Sequence, residues 1–137
     1  MQHFKGGCNC GGVRYDFHAE PLMTGVCHCD NCQRQTGTSF SIIVGVAEGD
    51  AVFTANETLK CYKDTGTSGG AVDRFFCGEC GSPIYTLADH GAGVLFIKAG
   101  SLDDRSWLQP EAHYWTDTAQ SWVNIPDNTV TFSANPG

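Results

Sequence analysis

Seven of the eight cysteines in this sequence fall into three short motifs. The motifs are C-x-C at Cys8 and Cys10, C-x-C-x-x-C at Cys27, Cys29 and Cys32, and C-x-x-C at Cys77 and Cys80. Thiolates are good zinc ligands, and a structural zinc ion takes four ligands in a tetrahedron. Closely spaced cysteines in a reducing compartment bind metal more often than they form disulfides. The spacing therefore predicts metal binding, and the number of ligands in each set decides what the metal can do.

Glycines surround the first and last cysteine pairs, in GGCNCGG and CGECG. A metal knuckle turns backbone N–H groups toward the thiolates, and glycine accepts the backbone angles that such a turn requires. Each pair supplies two ligands, so the two pairs together supply four. We therefore predict a closed, structural metal site that ties the beginning of the chain to a later strand, formed by Cys8, Cys10, Cys77 and Cys80.

The middle motif supplies only three cysteines, so a fourth ligand has to be sought elsewhere. Side chains of an extended segment alternate between its two faces, so Cys27 and Cys29 point one way while His28 points the other. We predict that His28 is a partly buried structural residue. Cys61, in the apparent strand TLKCYKD, is the remaining candidate for a fourth protein ligand.

Without such a ligand, the fourth position of the middle site is open, as it is in catalytic zinc sites. A metal held by three thiolates is a weak Lewis acid for generating hydroxide, but it can hold a soft external thiolate. The chemistry predicted for Cys27, Cys29 and Cys32 is the delivery of a small thiol to an electrophile such as an aldehyde carbon.

Length and composition limit the classes of protein to consider. The chain has 137 residues, which suits one domain spanning 1–137, and its formal net charge is −7. That charge argues against a nucleic-acid partner, because phosphate contacts need clustered Lys and Arg. No apolar run reaches the roughly 20 residues of a membrane helix. No secretory signal is visible and the chain is rich in cysteine, so we expect a cytoplasmic location.

Short apolar segments separated by turn residues predict a mostly β fold. Val13, Tyr15 and Phe17 alternate with polar neighbours, as in a half-buried strand. Further strands are predicted at 39–47, 51–55, 58–64, 73–77, 83–88, 93–100 and 129–134. One helical turn is predicted around 30–35, ended by Gly37. The segment 63–73, which is rich in glycine and threonine, is the candidate for a mobile loop.

Five segments of the sequence resemble, in order, the motifs of a known family. They are GGCNCGGVRY, CHCDNCQRQTG, FFCGECGSPIY, KAGSLDD and PEAHYWTDTAQSWVNI. The family is that of the glutathione-dependent formaldehyde-activating enzymes, which includes the centromere protein V group. The resemblance runs from about residue 6 to 126, and three cysteine motifs in the right order make it specific.

The resemblance implies a β-tent-like fold of stacked antiparallel sheets around zinc knuckles, with two zinc ions per chain. Carried over to this sequence, the closed four-cysteine set would hold a structural zinc, and Cys27, Cys29 and Cys32 would hold a second, catalytic zinc. The implied activity is that of a carbon–sulfur lyase that joins glutathione to formaldehyde. Glutathione is an anion and needs a positive contact, for which Arg34 is the nearest candidate in sequence.

Other residues leave two interpretations open. Trp107, Trp115 and Trp122 could line an aromatic pocket, although tryptophans of a small β domain more often belong to its core. Asp103 and Asp104 are typical of a turn. The alternative to an enzyme is a non-catalytic zinc scaffold that binds a partner protein. A scaffold would close the middle site with a fourth protein ligand, whereas an enzyme would leave it open beside a pocket.

Overall fold

The computed structural model describes residues 3–135, which form eleven β-strands and one short α-helix. The strands are β1 Phe4–Gly7, β2 Val13–Phe17, β3 Met23–Cys27, β4 Ser41–Ala47, β5 Ala51–Asn56, β6 Leu59–Thr65, β7 Ala71–Cys77, β8 Pro83–Ala88, β9 Val94–Lys98, β10 Ala112–Tyr114 and β11 Val130–Thr131. The helix is α1, Asp30–Thr36. No helix in residues 3–135 is long and apolar enough to cross a membrane.

A small sheet contains three antiparallel strands in the order β1-β2-β5. Its central strand shows the alternation read from the sequence, because Val13, Tyr15 and Phe17 are buried while the residues between them are partly exposed. A period of two places every second side chain on the same face of a strand. One face of this sheet is therefore committed to the protein core.

A large sheet contains eight strands in the order β11-β10-β3-β4-β9-β8-β7-β6. Most of its pairings are antiparallel, as predicted, but β10 runs parallel to both β3 and β11. Antiparallel neighbours can be joined by a short hairpin, whereas parallel strands need a longer connection. The segment 99–111, between β9 and β10, is long enough to bring β10 in beside β3 in the parallel direction.

The two sheets stack on one another around a single apolar core. The core combines Tyr15 and Phe17 from the small sheet with Val44, Ile84 and Ile97 from the large one, and all five side chains are nearly inaccessible to solvent. Removal of apolar surface from water is the main favourable term in folding. The fold is therefore the mostly β, single-core arrangement of stacked sheets that the sequence predicted.

Some boundaries differ from the sequence-based expectation. β1, β3 and β10 were not predicted as strands, and the late segment 129–134 contributes only the two residues of β11. The proposed mobile loop at 63–73 is mostly regular, because β6 continues to Thr65 and β7 begins at Ala71. Only the hairpin turn 66–70 lies outside the strands.

The α-helix ends at the glycine that the sequence predicted, and a cysteine of the middle motif caps its beginning. Its N-cap is Cys29, whose sulfur accepts a hydrogen bond from the backbone N–H of Cys32 at 3.3 Å. Its C-cap is Gly37, which has a φ of 69° and donates its N–H to the Gln33 carbonyl. A left-handed glycine in this position is a common way to end a helix.

Close packing between β1 and the β9–β10 connection predicts the effect of a glycine substitution. A Cβ atom on Gly6 would overlap the Tyr15 hydroxyl and the Ser101 carbonyl oxygen. We expect Gly6→Ala to destabilise the protein by about 1–3 kcal/mol, as overpacking of a core does. Gly49→Ala is the matched control, because nothing lies within 4 Å of its added Cβ. Denaturant titrations showing equal stability for both variants would contradict this packing.

Candidate functional site

Four cysteines that are distant in sequence form a four-sulfur cluster: Cys8, Cys10, Cys77 and Cys80. Their Sγ atoms all lie within 4.8 Å of one another. The first two belong to the turn between β1 and β2, whereas Cys77 is the last residue of β7 and Cys80 lies in the turn between β7 and β8. The structure thus brings together the residues for which the sequence predicted a closed site, and the cluster connects the small sheet to the large one.

The spacing within the four-sulfur cluster fits a tetrahedral metal ion. The Sγ atom of Cys10 is 3.6 Å from that of Cys8 and 3.7 Å from that of Cys77. Four sulfurs bound at about 2.3 Å around a tetrahedral zinc ion are separated by about 3.8 Å. The donor set is entirely sulfur, so this cluster could hold a thiophilic metal ion with no contribution from solvent.

Hydrogen-bond donors surround these sulfurs. The backbone N–H of Val13 lies 3.2 Å from the Cys8 sulfur, and the Thr58 hydroxyl lies 3.1 Å from the Cys77 sulfur. The Thr58 hydrogen bond is the main cause that lowers the pKa of the Cys77 thiol. Donors directed at sulfur stabilise the thiolate, which is the form that binds a metal.

Two glycines shape the turns that carry these cysteines. Gly11 follows the first pair with a φ of 86°, and Gly81 follows the second pair with a φ of 80°. Residues with a side chain rarely adopt such angles. The glycines noted around both pairs in the sequence therefore have the conformational role expected of metal knuckles.

The middle motif forms a three-sulfur cluster at the junction of β3 and α1: Cys27, Cys29 and Cys32. Cys27 ends β3, Cys29 caps α1, and Cys32 lies in the first turn of the helix. Their Sγ atoms also lie within 4.8 Å of one another. A strand that passes directly into a helix thus places three sulfurs on the same side of the chain.

No fourth His, Cys, Asp or Glu ligand joins this cluster within residues 3–135. His28 points to the opposite side, where its Nε2 lies 2.9 Å from Nδ1 of His113. The ring of His28 is completely buried, so it is more deeply enclosed than the sequence suggested. Cys61 is exposed on β6 and is not part of the cluster. Neither candidate for a fourth protein ligand is therefore in place.

The three-sulfur cluster lines a cavity of about 90 Å³. This volume is several times the 10–15 Å³ that one buried water requires. The cavity lies on the face of the large sheet that is turned away from the core. Along β9, Phe96 and Lys98 point to this face and line the cavity, whereas Leu95 and Ile97 point to the opposite face and belong to the core. The hairpin turn 66–70 forms part of its wall.

Two buried cations line the same cavity. Lys98 is 6% exposed and donates from Nζ to the Ser41 hydroxyl at 2.8 Å. Arg74 is 4% exposed and donates from Nε to a carboxylate oxygen of Asp64 at 2.7 Å. Burial lowers the pKa of Lys98. The cavity therefore combines three sulfurs with positive charge. Asp64 balances the charge of Arg74 but forms no ion pair with Lys98 among the described residues.

The cations act directly on the nearest sulfur. Hydrogen bonds from Cys27 and Cys29 are the largest cause of the lowered pKa of Cys32, and the charges of Lys98 and Arg74 lower it further. A positive charge near a thiol favours its thiolate form. The cations thus favour the thiolate form of Cys32 within an acidic chain, whereas hydrogen bonds with Cys29 and Cys32, followed by burial, raise the pKa of Cys27.

Arg34, predicted as the substrate contact, lies elsewhere. It is exposed in the last turn of α1 and is absent from the residues that line the cavity. Nearness in sequence was a poor guide because the helix turns Arg34 away from the sulfurs, whereas β7 and β9 bring Arg74 and Lys98 to them. The sequence did contain a signal for Lys98, since it is a lysine at the end of the apolar strand VLFIK.

The three tryptophans have different surroundings. Trp107 packs against Phe4 in the core with ring centroids 4.5 Å apart, and Trp122 is 72% exposed. Trp115 lines the cavity, and its indole N–H donates to the side-chain oxygen of Asn135 at 2.6 Å. Its φ of 59° is the one positive value among the described non-glycine residues. Of the three tryptophans, only Trp115 lines the cavity of the three-sulfur cluster, whereas Trp107 combines its place beside the core with the wall of a separate pocket.

The two aspartates that the sequence assigned to a turn have structural contacts. Asp103 forms an ion pair with Arg14, and Asp104 accepts hydrogen bonds from the backbone and hydroxyl of Ser106. The two aspartates therefore stabilise the local turn, as their sequence suggested.

Comparison with protein-family models gives one match over most of the chain. The model of the glutathione-dependent formaldehyde-activating enzymes matches residues 3–118. This range contains every cysteine of both sulfur clusters together with Arg74 and Lys98.

The curated relatives have low sequence identity to this chain and are longer than it. A Penicillium rubens protein, provisionally named a glutathione-dependent formaldehyde-activating enzyme, is 29% identical over 117 residues, which are 79% of this chain and 59% of that protein. An uncharacterized lyase of Schizosaccharomyces pombe is 25% identical over 72% of this chain and 68% of its own length. A Podospora anserina protein with the same provisional name as the Penicillium one is 26% identical, and the match spans 40% of it.

A solved structure has a similar fold. The crystal structure of a Rhodobacter sphaeroides protein matches 93% of this chain and 98% of its own chain, with a TM-score of 0.58 and 21% sequence identity. At this identity the likeness shows a common fold only. The arrangement of stacked sheets is therefore found in a protein with a very different sequence.

The different positions of the two clusters predict different effects on stability. Cys77→Ala removes a sulfur from the cluster that connects the two sheets, so if this cluster binds a metal we expect the melting temperature to fall by more than about 10 °C. Cys29→Ala removes a helix cap worth about 1 kcal/mol, so we expect a fall of only a few degrees. Cys61→Ala, an exposed cysteine outside both clusters, is the control. Equal losses for Cys77→Ala and Cys29→Ala in thermal melts would contradict this division.

Proposed function

We propose that this chain, which belongs to the glutathione-dependent formaldehyde-activating enzyme family, is a zinc-dependent carbon–sulfur lyase acting at the three-sulfur cluster. It would join a small thiol to an aldehyde and catalyse the reverse reaction. The observation that carries this proposal is a set of three sulfurs, without a fourth described protein ligand, facing a cavity with two buried cations. A scaffold would have no use for such an opening.

Cys27, Cys29 and Cys32 would hold the catalytic zinc, and the four-sulfur cluster would hold a second, structural zinc. Zinc bound by three protein thiolates would supply a position where a small external thiol is held in its thiolate form. The three-sulfur set fits this task because soft ligands favour a further soft ligand. The rest of the reaction depends on the side chains that surround the cavity.

The proposed reaction adds a thiol across a carbonyl group. The S–H bond of the thiol breaks, a carbon–sulfur bond forms, and the carbonyl π electrons move to oxygen, where the proton is finally placed. Negative charge therefore develops on the aldehyde oxygen. Lys98 is the cation best suited to stabilise that charge, because its described hydrogen-bond partner is the neutral Ser41 hydroxyl. Prearranged charge of this kind in a site with little water is a large contribution to catalysis.

Arg74 has a different proposed role. Its guanidinium group is held by Asp64, so the position of its charge is fixed beside the cysteines. A thiolate-rich centre buried in an acidic protein would otherwise repel an anionic substrate. Arg74 would therefore balance the thiolates and leave the charge of Lys98 available to the substrate.

The size of the cavity restricts the substrates. Pockets that enclose a drug-sized ligand usually measure about 300–1,000 Å³, whereas this one measures about 90 Å³. It would accept the sulfur end of a thiol and an aldehyde of one or a few carbons. With glutathione, which the names of the relatives suggest, the remainder of the tripeptide would lie outside the cavity. We propose formaldehyde as the aldehyde because its size suits this space.

The proposed assignment predicts the metal content. We expect about two zinc ions per chain after gentle purification and dialysis, because the two sulfur clusters are separate. Cys29→Ala should retain about one, whereas Cys61→Ala should retain both. Elemental analysis that finds at most one zinc in the unmodified protein, unchanged in Cys29→Ala, would contradict the two-site assignment.

The proposed activity predicts faster exchange between formaldehyde and its thiol adduct. Exchange NMR with glutathione, and with cysteine beside it, should show acceleration by the unmodified protein. Cys29→Ala should return the rate to that of buffer. Lys98→Met, which keeps a side chain of similar shape, should lower the rate at least about tenfold through loss of about 1.4 kcal/mol of transition-state stabilisation.

Arg34→Met is the matched control for Lys98→Met, because it removes a cation that lies outside the cavity. Its rate should equal that of the unmodified protein. If neither thiol shows acceleration with the zinc-loaded protein, the lyase proposal is wrong and a scaffold role is favoured. If Lys98→Met and Arg34→Met behave alike, the role proposed for Lys98 is wrong.

A further inference from the structure

A third group of potential metal ligands lies on the small sheet, away from both sulfur clusters: His3, Asp16 and His18. One ligand atom from each residue lies within 4.8 Å of those of the others. His3 directly precedes β1, Asp16 lies in β2, and His18 directly follows β2. These residues belong to none of the three cysteine motifs, and the proposed thiol chemistry makes no use of them.

The register of β1 and β2 explains why they converge. Phe4 pairs with Phe17, and both rings are directed into the core, where their centroids are 4.7 Å apart. The residues on either side of this pair must point outward, because side chains alternate along a strand. His3 and His18 are therefore cross-strand neighbours on the outer face, and Asp16 lies on that face two positions before His18.

The side chains are already close to one another. The rings of His3 and His18 stack with centroids 4.1 Å apart and an interplanar angle of 17°. Nε2 of His3 is 3.8 Å from a carboxylate oxygen of Asp16, which is longer than a direct hydrogen bond. Lys5 lies opposite Asp16 in register, yet no ion pair within residues 3–135 joins them. The carboxylate therefore remains available to another cation.

We propose that His3, Asp16 and His18 form a third metal site, which binds a divalent transition-metal ion such as Zn²⁺. Two imidazoles and one carboxylate are ligands that suit zinc and its neighbours in the first transition row. The side chain of His3 is 42% exposed and that of Asp16 is 27% exposed, so water would complete the coordination. This site would differ from the sulfur clusters in two ways. Its ligand atoms would be nitrogen and oxygen, and its metal ion would be accessible to water.

Binding at this site would connect the beginning of β1 to the end of β2. β1 leads directly into the turn that carries Cys8 and Cys10. A ligand that binds only the folded state stabilises it in proportion to the logarithm of its concentration over its dissociation constant. Free zinc would therefore strengthen the strand pair that holds half of the four-sulfur cluster.

Calorimetric titration of Zn²⁺ into protein whose sulfur clusters are already loaded tests the proposal. The unmodified protein should bind about one further zinc ion per chain. His18→Ala should weaken that binding at least tenfold, because a three-ligand site would keep only two ligands. His90→Ala is the matched control, since His90 is an exposed histidine on a turn remote in sequence from β1 and β2.

Thermal melts of the same proteins supply a second readout. Added Zn²⁺ should raise the melting temperature of the unmodified protein and of His90→Ala, but not that of His18→Ala. His18 is exposed, so its variant should fold normally without added zinc. Absence of a further zinc ion in the unmodified protein, or equal further binding in His18→Ala, would overturn the proposal. Neither result would bear on the thiol chemistry, which depends on the three-sulfur cluster.

Discussion

Convergence of four cysteine sulfurs from opposite parts of the chain is the constraint on which the rest of the structure depends. Thiolates separated by 3.6 and 3.7 Å repel one another unless a cation lies between them. The cluster has one half in the β1–β2 turn of the small sheet and the other half in the β7–β8 hairpin of the large sheet. A metal at this position would therefore fix how the two sheets stack, in addition to closing two turns.

A single strand, β7, connects the four-sulfur cluster to the proposed active site. β7 ends at Cys77, in the four-sulfur cluster, and carries Arg74 into the cavity three residues earlier. The neighbouring strands β8 and β9 then bring Lys98 beside Arg74 and the three-sulfur cluster. An anchored strand holds its side chains more precisely than a loop does, and proposed catalysis by prearranged charge needs that precision.

Sequence reasoning was most successful where ligand spacing is local. The three cysteine motifs, the alternation in β2 and the glycine that ends α1 all depend on residues within a few positions of each other. The cations of the cavity were missed because sheet order, which the sequence does not display, decides which strands are neighbours. Arg34 was chosen for its nearness in sequence, and the three-dimensional path of β7 and β9 provides Arg74 and Lys98 instead. The parallel entry of β10 likewise depends on a long connection without a clear local signal.

The coordination shell of the metal held by Cys27, Cys29 and Cys32 tests the account most directly. X-ray absorption at the zinc edge, on protein carrying two zinc ions, reports the average number of sulfur neighbours. Four ligands at one site and three at the other predict an average of about 3.5 sulfurs, which should rise to about 4 when glutathione or cysteine is added. Cys29→Ala should not show that rise. An average of 4 before any thiol is added, unchanged by every thiol tested, would contradict an open thiol-binding site.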